Sequence, residues 1–274
     1  MRRRTIAHEI LLQGVGLHKG TPVELCLRPG EDGIVFSRGG VRIPARTENV
    51  VDTRLNTAIG ADGVVISTIE HLMSALWGHC LTDCEVEIRG EEIPVLDGSA
   101  RPFSLAIREA GLAELPGEVD PLAVRQTLRV EDGASWIEAR PGRFSLTYEI
   151  DFPGTAIGLQ RFSFDGSGYE AGIAPARTFG LLRDVESMHA LGLALGGSLD
   201  NAVVVDGDRV VNPGGLRFPD ECVRHKVLDL LGDLWTLGAP LQAEIAAVRA
   251  SHKLHIALAR KIRGAQVRGG GGRQ

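Results

Sequence analysis

The sequence is short of three things. Cysteine is scarce, with Cys26, Cys80, Cys84 and Cys222 the four in a chain of 274 residues. That excludes a disulfide scaffold and leaves reduced, structural thiols as the expectation. Long apolar runs are missing too, none approaching the roughly 18 residues that a membrane helix needs. The opening Met1-Arg2-Arg3-Arg4 has the charge of a signal peptide, but Thr5-Ile6-Ala7-His8-Glu9 interrupts any apolar region behind it. A cytoplasmic protein without stable membrane insertion is expected. Positive charge is the third shortage. A net charge of -5 argues against a nucleic-acid partner, whose binders carry a basic stripe.

What is present is an ordinary globular composition, 43% hydrophobic and 24% charged. At this length the chain can bury one large or two modest cores. Two halves share a rhythm. In the first, Val23-Glu24-Leu25-Cys26-Leu27 alternates, turns at Glu31-Asp32-Gly33 and returns through Ile34-Val35-Phe36, a hairpin signature. A helix is predicted from Ser67 to Gly78, carrying Ile69, Leu72, Met73, Leu76 and Trp77 on one face. A strand at 84–88 and a helix over 102–110 close the half. Residues 115–121, Leu-Pro-Gly-Glu-Val-Asp-Pro, read as the linker. The second half repeats the order, with strands near 124–130, 136–139 and 144–150, a helix bearing His225 and a last helix over 252–262. Residues 180–208 read as an inserted βαβ-like segment, with an apolar helix over 181–193 and a strand at 202–205. The prediction is α+β: two similar domains over 1–115 and 122–264 facing each other, with a disordered tail over 265–274.

The most informative run is Cys222-Val223-Arg224-His225-Lys226-Val227-Leu228-Asp229-Leu230-Leu231-Gly232-Asp233. On a helix His225 and Asp229 stack on one face, and Asp233 extends that seam by a turn. The opposite face is apolar and must be buried. An isolated His-x3-Asp is usually a solvated polar face, but Glu70-His71 supplies a second imidazole and carboxylate on another helix. Together they offer three ligands and a spare acid, the parts of a catalytic zinc centre with an open position. Glu70 has a rival reading, because Ser67-x-x-Glu70 is also a capping box. His71 has no capping role.

Other candidates carry weaker signals. His252, at the start of the last helix, needs a carboxylate partner if it is to be charged, and Asp233 suits. His18 lies in the turn Gly14-Val15-Gly16-Leu17-His18-Lys19-Gly20, a candidate substrate or phosphate cradle that lacks Walker spacing. Lys226 is either a solvated helix charge or a phosphate anchor. Thr178 and Phe179 belong to a polar-aromatic cluster, Arg177-Thr178-Phe179-Gly180, and a lone threonine is usually structural. Cys80 and Cys84 with Cys222 and His225 are a weaker option for a structural zinc site, without a zinc-ribbon knuckle around them.

With these residues in hand, the chain resembles the UDP-3-O-acyl-N-acetylglucosamine deacetylases, zinc amidases of bacterial lipid A biosynthesis. The likeness runs from about Thr5 to Ile262 through Gly14-Val15-Gly16-Leu17-His18, Ser67-Thr68-Ile69-Glu70-His71-Leu72, Leu96-Asp97-Gly98-Ser99-Ala100 and Ala176-Arg177-Thr178-Phe179-Gly180. Gly196-Gly197-Ser198-Leu199-Asp200-Asn201-Ala202, Gly215-Leu216-Arg217-Phe218 and Val223-Arg224-His225-Lys226 follow in order. The resemblance implies that His71, His225 and Asp229 hold Zn2+, with Fe2+ as an alternative, and that Glu70 is the general base. It implies that His252, oriented by Asp233, is a cationic acid and that Thr178 binds the oxyanion. Lys226 and Phe179 would contact the nucleotide sugar, and the insert would line a passage for the acyl chain. The implied fold is two α+β domains sandwiching their helices between two sheets, and the implied state is a monomer.

Two departures stand out. The family's Lys-Ser-Gly-His before the last helix is here Arg249-Ala250-Ser251-His252, and its Ala-Leu-Asn is Lys253-Leu254-His255. Loss of the glycine predicts a loop less permissive in φ, and His255 competes with His252 for the acid role. Two other function classes remain at this point. A silent nucleotide-sugar or acyl-chain binder would have no use for the Glu70, His71, His225 and Asp229 set. A nucleic-acid module would need a basic face.

Overall fold

The computed structural model describes residues 1–270, with side chains as far as Gln266. Its helices are α1 (Glu70–Gly78), α2 (Arg101–Ala110), the one-turn α3 (Tyr169–Gly172), α4 (Leu182–Ala190), α5 (Glu221–Trp235) and α6 (His252–Gly270). Two five-stranded sheets have the same plan. In space the first runs Ile10–Val15, Pro22–Arg28, Cys84–Arg89, Ile34–Arg38, Val41–Pro44. The second runs Leu128–Asp132, Ser135–Arg140, Glu244–Val248, Ser145–Phe152, Gly158–Phe164. In each, the last strand in sequence enters the middle, antiparallel to one neighbour and parallel to the other.

Period-2 patterning explains the faces. Cys84, Val86 and Ile88 point into the core, while Glu85 and Glu87 point out and meet Arg42 and Arg28. Each central strand is preceded by one helix and followed by another: α1 and α2 in the first half, α5 and α6 in the second. One continuous apolar core joins both halves. Helix α5 lies at its centre, so its polar seam is buried along with its apolar face: Glu221, His225, Asp229 and Asp233 are all inside. Its contact with α1 demands glycine, because a Cβ on Gly232 would lie 2.0 Å from the Glu70 carbonyl oxygen.

Several expectations need correction. The segment read as a linker overlaps a strand, Leu112–Glu118, which pairs antiparallel with Arg2–Ile6 and so ties that strand to the domain junction. Helix α1 begins at Glu70 rather than Ser67, because Ser67 pairs with Glu92 in a β-bridge and Thr68 sits at φ +59°. The insert does contain a βαβ unit, with Phe179–Leu181 parallel to Val203–Asp206 across α4. However, α4 ends at Ala190 rather than 193 and buries none of its residues. The tail expected from 265 is helical through Gly270, and 271–274 lie outside the described residues. An insert in the first half, the three-stranded sheet Val50–Asp52, Ala58–Ala61 and Val64–Ile66, answers the one in the second. Among the described residues no helix is long and apolar enough to cross a membrane.

Candidate active site

The seam between the halves holds a cavity of about 320 Å³. Its wall includes Glu70, His71, His225, Asp229, His252, Thr178, Phe179, Lys226 and His18. Asp233 stands behind that wall, fully buried. Helix α1 delivers Glu70 and His71, α5 delivers His225, Lys226, Asp229 and Asp233, and the first turn of α6 delivers His252.

Three groups converge on Asp229. Its Oδ1 lies 3.3 Å from His225 Nε2 and 3.6 Å from His71 Nε2. This oxygen is buried and has no hydrogen-bond partner among the described residues. Oδ2 accepts from Lys226 Nζ at 2.7 Å. His225 Nδ1 lies 3.0 Å from the Ala176 carbonyl, which takes its proton and leaves the Nε2 lone pair free. Burial pushes His225 down to about 4, so the ring is neutral. Burial opposes ionisation of Asp229, but His225 and Lys226 hold it well below the usual carboxylate range. A tetrahedral zinc with bonds near 2.0–2.1 Å places its ligand atoms about 3.3 Å apart. The residues present fit such an ion: an orphaned carboxylate oxygen and a free imidazole nitrogen at that spacing, with a second imidazole close by. Neither metal-capable cluster among the described residues includes a cysteine, and Cys80 is exposed, so the cysteine zinc site is set aside.

Glu70 is not a capping residue. Its Oε2 accepts the Thr57 backbone N–H at 3.0 Å, and Ile69 occupies the helix N-cap. Burial pushes its carboxyl up to about 7, the range suited to proton exchange at neutral pH. His252 faces it, Nε2 to Oε1 at 3.8 Å. Burial opposes the imidazolium, yet the charges of Asp233 and Glu70 raise His252 to about 9. The loop before it does not suffer from its lost glycine. The positive φ falls on Arg249, at +49°, where N–H donates to the Glu149 carbonyl, and Ser251 has no such demand.

Thr178 is held by both its backbone groups, N–H to Gly98 O and C=O from Val203 N, which presents its side chain to the cavity. Phe179 meets His225 edge-on with centroids 6.3 Å apart. The phosphate-cradle reading of the glycine turn fails, because the N–H groups of His18 and Lys19 already bind the buried Glu92 carboxylate. The His18 ring itself reaches the cavity, and its Nδ1 is without a partner among the described residues.

Comparison with known proteins matches residues 3–264 to the family model of UDP-3-O-acyl N-acetylglycosamine deacetylase. The chain belongs to that deacetylase family. Relatives bearing the name UDP-3-O-acyl-N-acetylglucosamine deacetylase include one from Anaeromyxobacter dehalogenans, 45% identical over 95% of this chain and 87% of its own. Another, from Aliarcobacter butzleri, is 44% identical over 96% and 90%. A third, from Helicobacter pylori, is 40% identical over 96% and 91%.

Within this family member, two groups escaped the sequence reading. Thr57 is fully buried and bridges two carboxylates of the site, with N–H to Glu70 and Oγ1 to Asp233 Oδ1 at 2.5 Å. Nothing around it, Asn56-Thr57-Ala58, carries a periodic or pairing signal. The Arg177–Glu221 ion pair, 2.8 Å and buried, ties the Thr178 loop to the start of α5. Its two members are 44 residues apart in sequence, so no local pattern joins them.

Proposed function

We propose that this chain is a zinc-dependent amidohydrolase of lipid A biosynthesis, removing acetate from the 2-acetamido group of UDP-3-O-acyl-N-acetylglucosamine. The orphaned Asp229 Oδ1 between two imidazoles, with the raised carboxyl of Glu70 beside it, carries this reading. When bound by His71, His225 and Asp229, zinc, or iron(II) with the same ligands, supplies Lewis-acid polarisation and a water of lowered pKa.

The chain's own groups do the rest. Glu70 is anchored through Oε2 and has Oε1 free to take a proton from the attacking water. The Thr178 hydroxyl and the protonated His252 donate to the developing oxyanion. Water adds to the amide carbon, the C–N bond breaks, and acetate leaves. The amine takes its proton from Glu70 or His252. Lys226 and Phe179 contact the nucleotide sugar, His18 adds to the substrate wall, and the second insert guides the acyl chain.

The test is acetate release from this substrate by purified protein, before and after chelation and with zinc returned. Activity lost with the metal and restored by zinc is expected. A folded, zinc-loaded protein that releases no acetate overturns the reading.

A further inference from the structure

We infer that His255, steadied by Tyr148, is a positioning residue for His252 and acts through the Asp233 carboxylate that both histidines share. The inference rests on the deacetylase reading. His252 opens α6 and His255 follows three residues later, so both rings leave the same helical face. Both aim Nδ1 at one atom, each 2.7 Å from Asp233 Oδ2. Thr57 Oγ1 takes the other oxygen. An ionised carboxylate only accepts, so the His252 proton on this side sits at Nδ1 and its Nε2 faces the cavity. A carboxylate gripped by one imidazole could rotate and carry that ring with it. Three donors on two oxygens hold its plane.

His255 is gripped in turn. It is fully buried, and its Nε2 lies 2.9 Å from the Tyr148 hydroxyl. With Nδ1–H on Asp233 and burial opposing a second ring proton, Nε2 accepts, so the hydroxyl's one proton is divided between Nε2 and the Ala250 carbonyl, 2.7 Å away and two residues before His252. Tyr148 comes from the strand Ser145–Phe152 of the second sheet and is itself fully buried. One phenol therefore stands within hydrogen-bond reach of both the backbone leading into His252 and the ring following it. Mere space-filling would not call for an imidazole and a phenol here, because unpaired polar atoms in a core are costly. Paired in one network, they make a rigid support.

The test uses zinc-loaded protein and three variants: His255→Leu, His255→Asn, whose amide nitrogen stands near the position of Nδ1, and Tyr148→Phe. His255→Leu is expected to lower kcat about 10–100-fold, the range for groups that orient a site, with KM and zinc content within about twofold. His255→Asn recovers to within about threefold of wild type, and Tyr148→Phe loses less than His255→Leu. In a His252→Ala background the leucine change costs less than about twofold, because its route is gone. Equal losses in both backgrounds, or an asparagine variant no better than leucine, overturn the inference. Side-chain 15N NMR decides the matter without turnover. The His252 Nδ1–H signal should exchange slowly in wild type and His255→Asn but be lost to solvent in His255→Leu. An unchanged signal in His255→Leu overturns the positioning role, even if wild-type protein releases no acetate and the deacetylase reading falls. Should the leucine variant not fold, Tyr148→Phe carries the same kinetic and NMR comparison.

Discussion

Two clusters of one aspartate and two histidines are centred on aspartates a turn apart on α5, and they are built differently. Around Asp229, the oxygen facing His71 and His225 has no hydrogen-bond partner. Around Asp233, both oxygens are taken, by Thr57, His252 and His255. Composition cannot separate the two, and both have spacing that could admit a metal. Satisfaction of lone pairs separates them. A buried carboxylate oxygen without a partner can still accept a cation or a donor, whereas a carboxylate with every oxygen donated to is a bracket.

The sharpest way to break this contrast is to delete each carboxylate. Asp229→Ala should weaken zinc binding by about 100-fold or more, beyond the usual cost of losing a supporting partner. Asp233→Ala should keep its zinc and lose turnover by about 10²–10⁴ through His252. Metal content after dialysis against a chelator checks both, and an empty Asp233→Ala would erase the distinction. Next in size, Glu70→Ala should bind zinc normally while turnover falls about 10²–10⁴-fold. Unimpaired acetate release by that variant would remove Glu70 from the base role.

A smaller effect comes from Thr57→Val, which keeps the backbone N–H to Glu70 but strips Asp233 of one donor. About a tenfold loss in kcat at constant zinc content is expected if the bracket needs all its donors. Activity like wild type would show that two histidines suffice. The smallest effect sharpens the contrast from outside the site. Burial opposes ionisation of Glu221, but Arg177 and two backbone N–H groups hold it below its ordinary value. A depressed carboxylate contributes stability above its unfolded pKa of about 4.3 and loses it as pH falls through the folded value. Glu221→Gln should therefore cost about 1–3 kcal/mol at pH 7 and show a smaller further drop than wild type toward pH 4. Thermal melts at the two pH values measure this, and parallel pH dependence would deny the pair its role.

How legible the site was depended on sequence distance. His225, Asp229 and Asp233 were readable because helical spacing projects them onto one face, and Glu70 next to His71 stood out as chemistry on an apolar helix. The capping box was a false lead. Its residues match, but the bridge from Ser67 to Glu92 holds the chain extended where the cap would form, and Thr57 takes the carboxylate instead. Thr57 and the Arg177–Glu221 pair had no local signal. The strand overlapping residues 115–121 was hidden for a similar reason. Leu-Pro-Gly is turn-like by composition, yet the strand Arg2–Ile6, more than 100 residues away, recruits it.

The sequence by itself determined the two-half α+β plan, because period-2 and period-3.6 patterning depends only on nearest neighbours along the chain. It also determined which residue types were available for a metal and a base. Tertiary structure decided how they are arranged. It decided that α5 is central rather than half-solvated, that Asp229 keeps an open oxygen while Asp233 keeps none, and that His255 shares the carboxylate of His252. These are facts about burial and hydrogen-bond partners brought from distant parts of the chain. No local pattern encodes them, since desolvation and lone-pair satisfaction exist only once the halves have closed on each other.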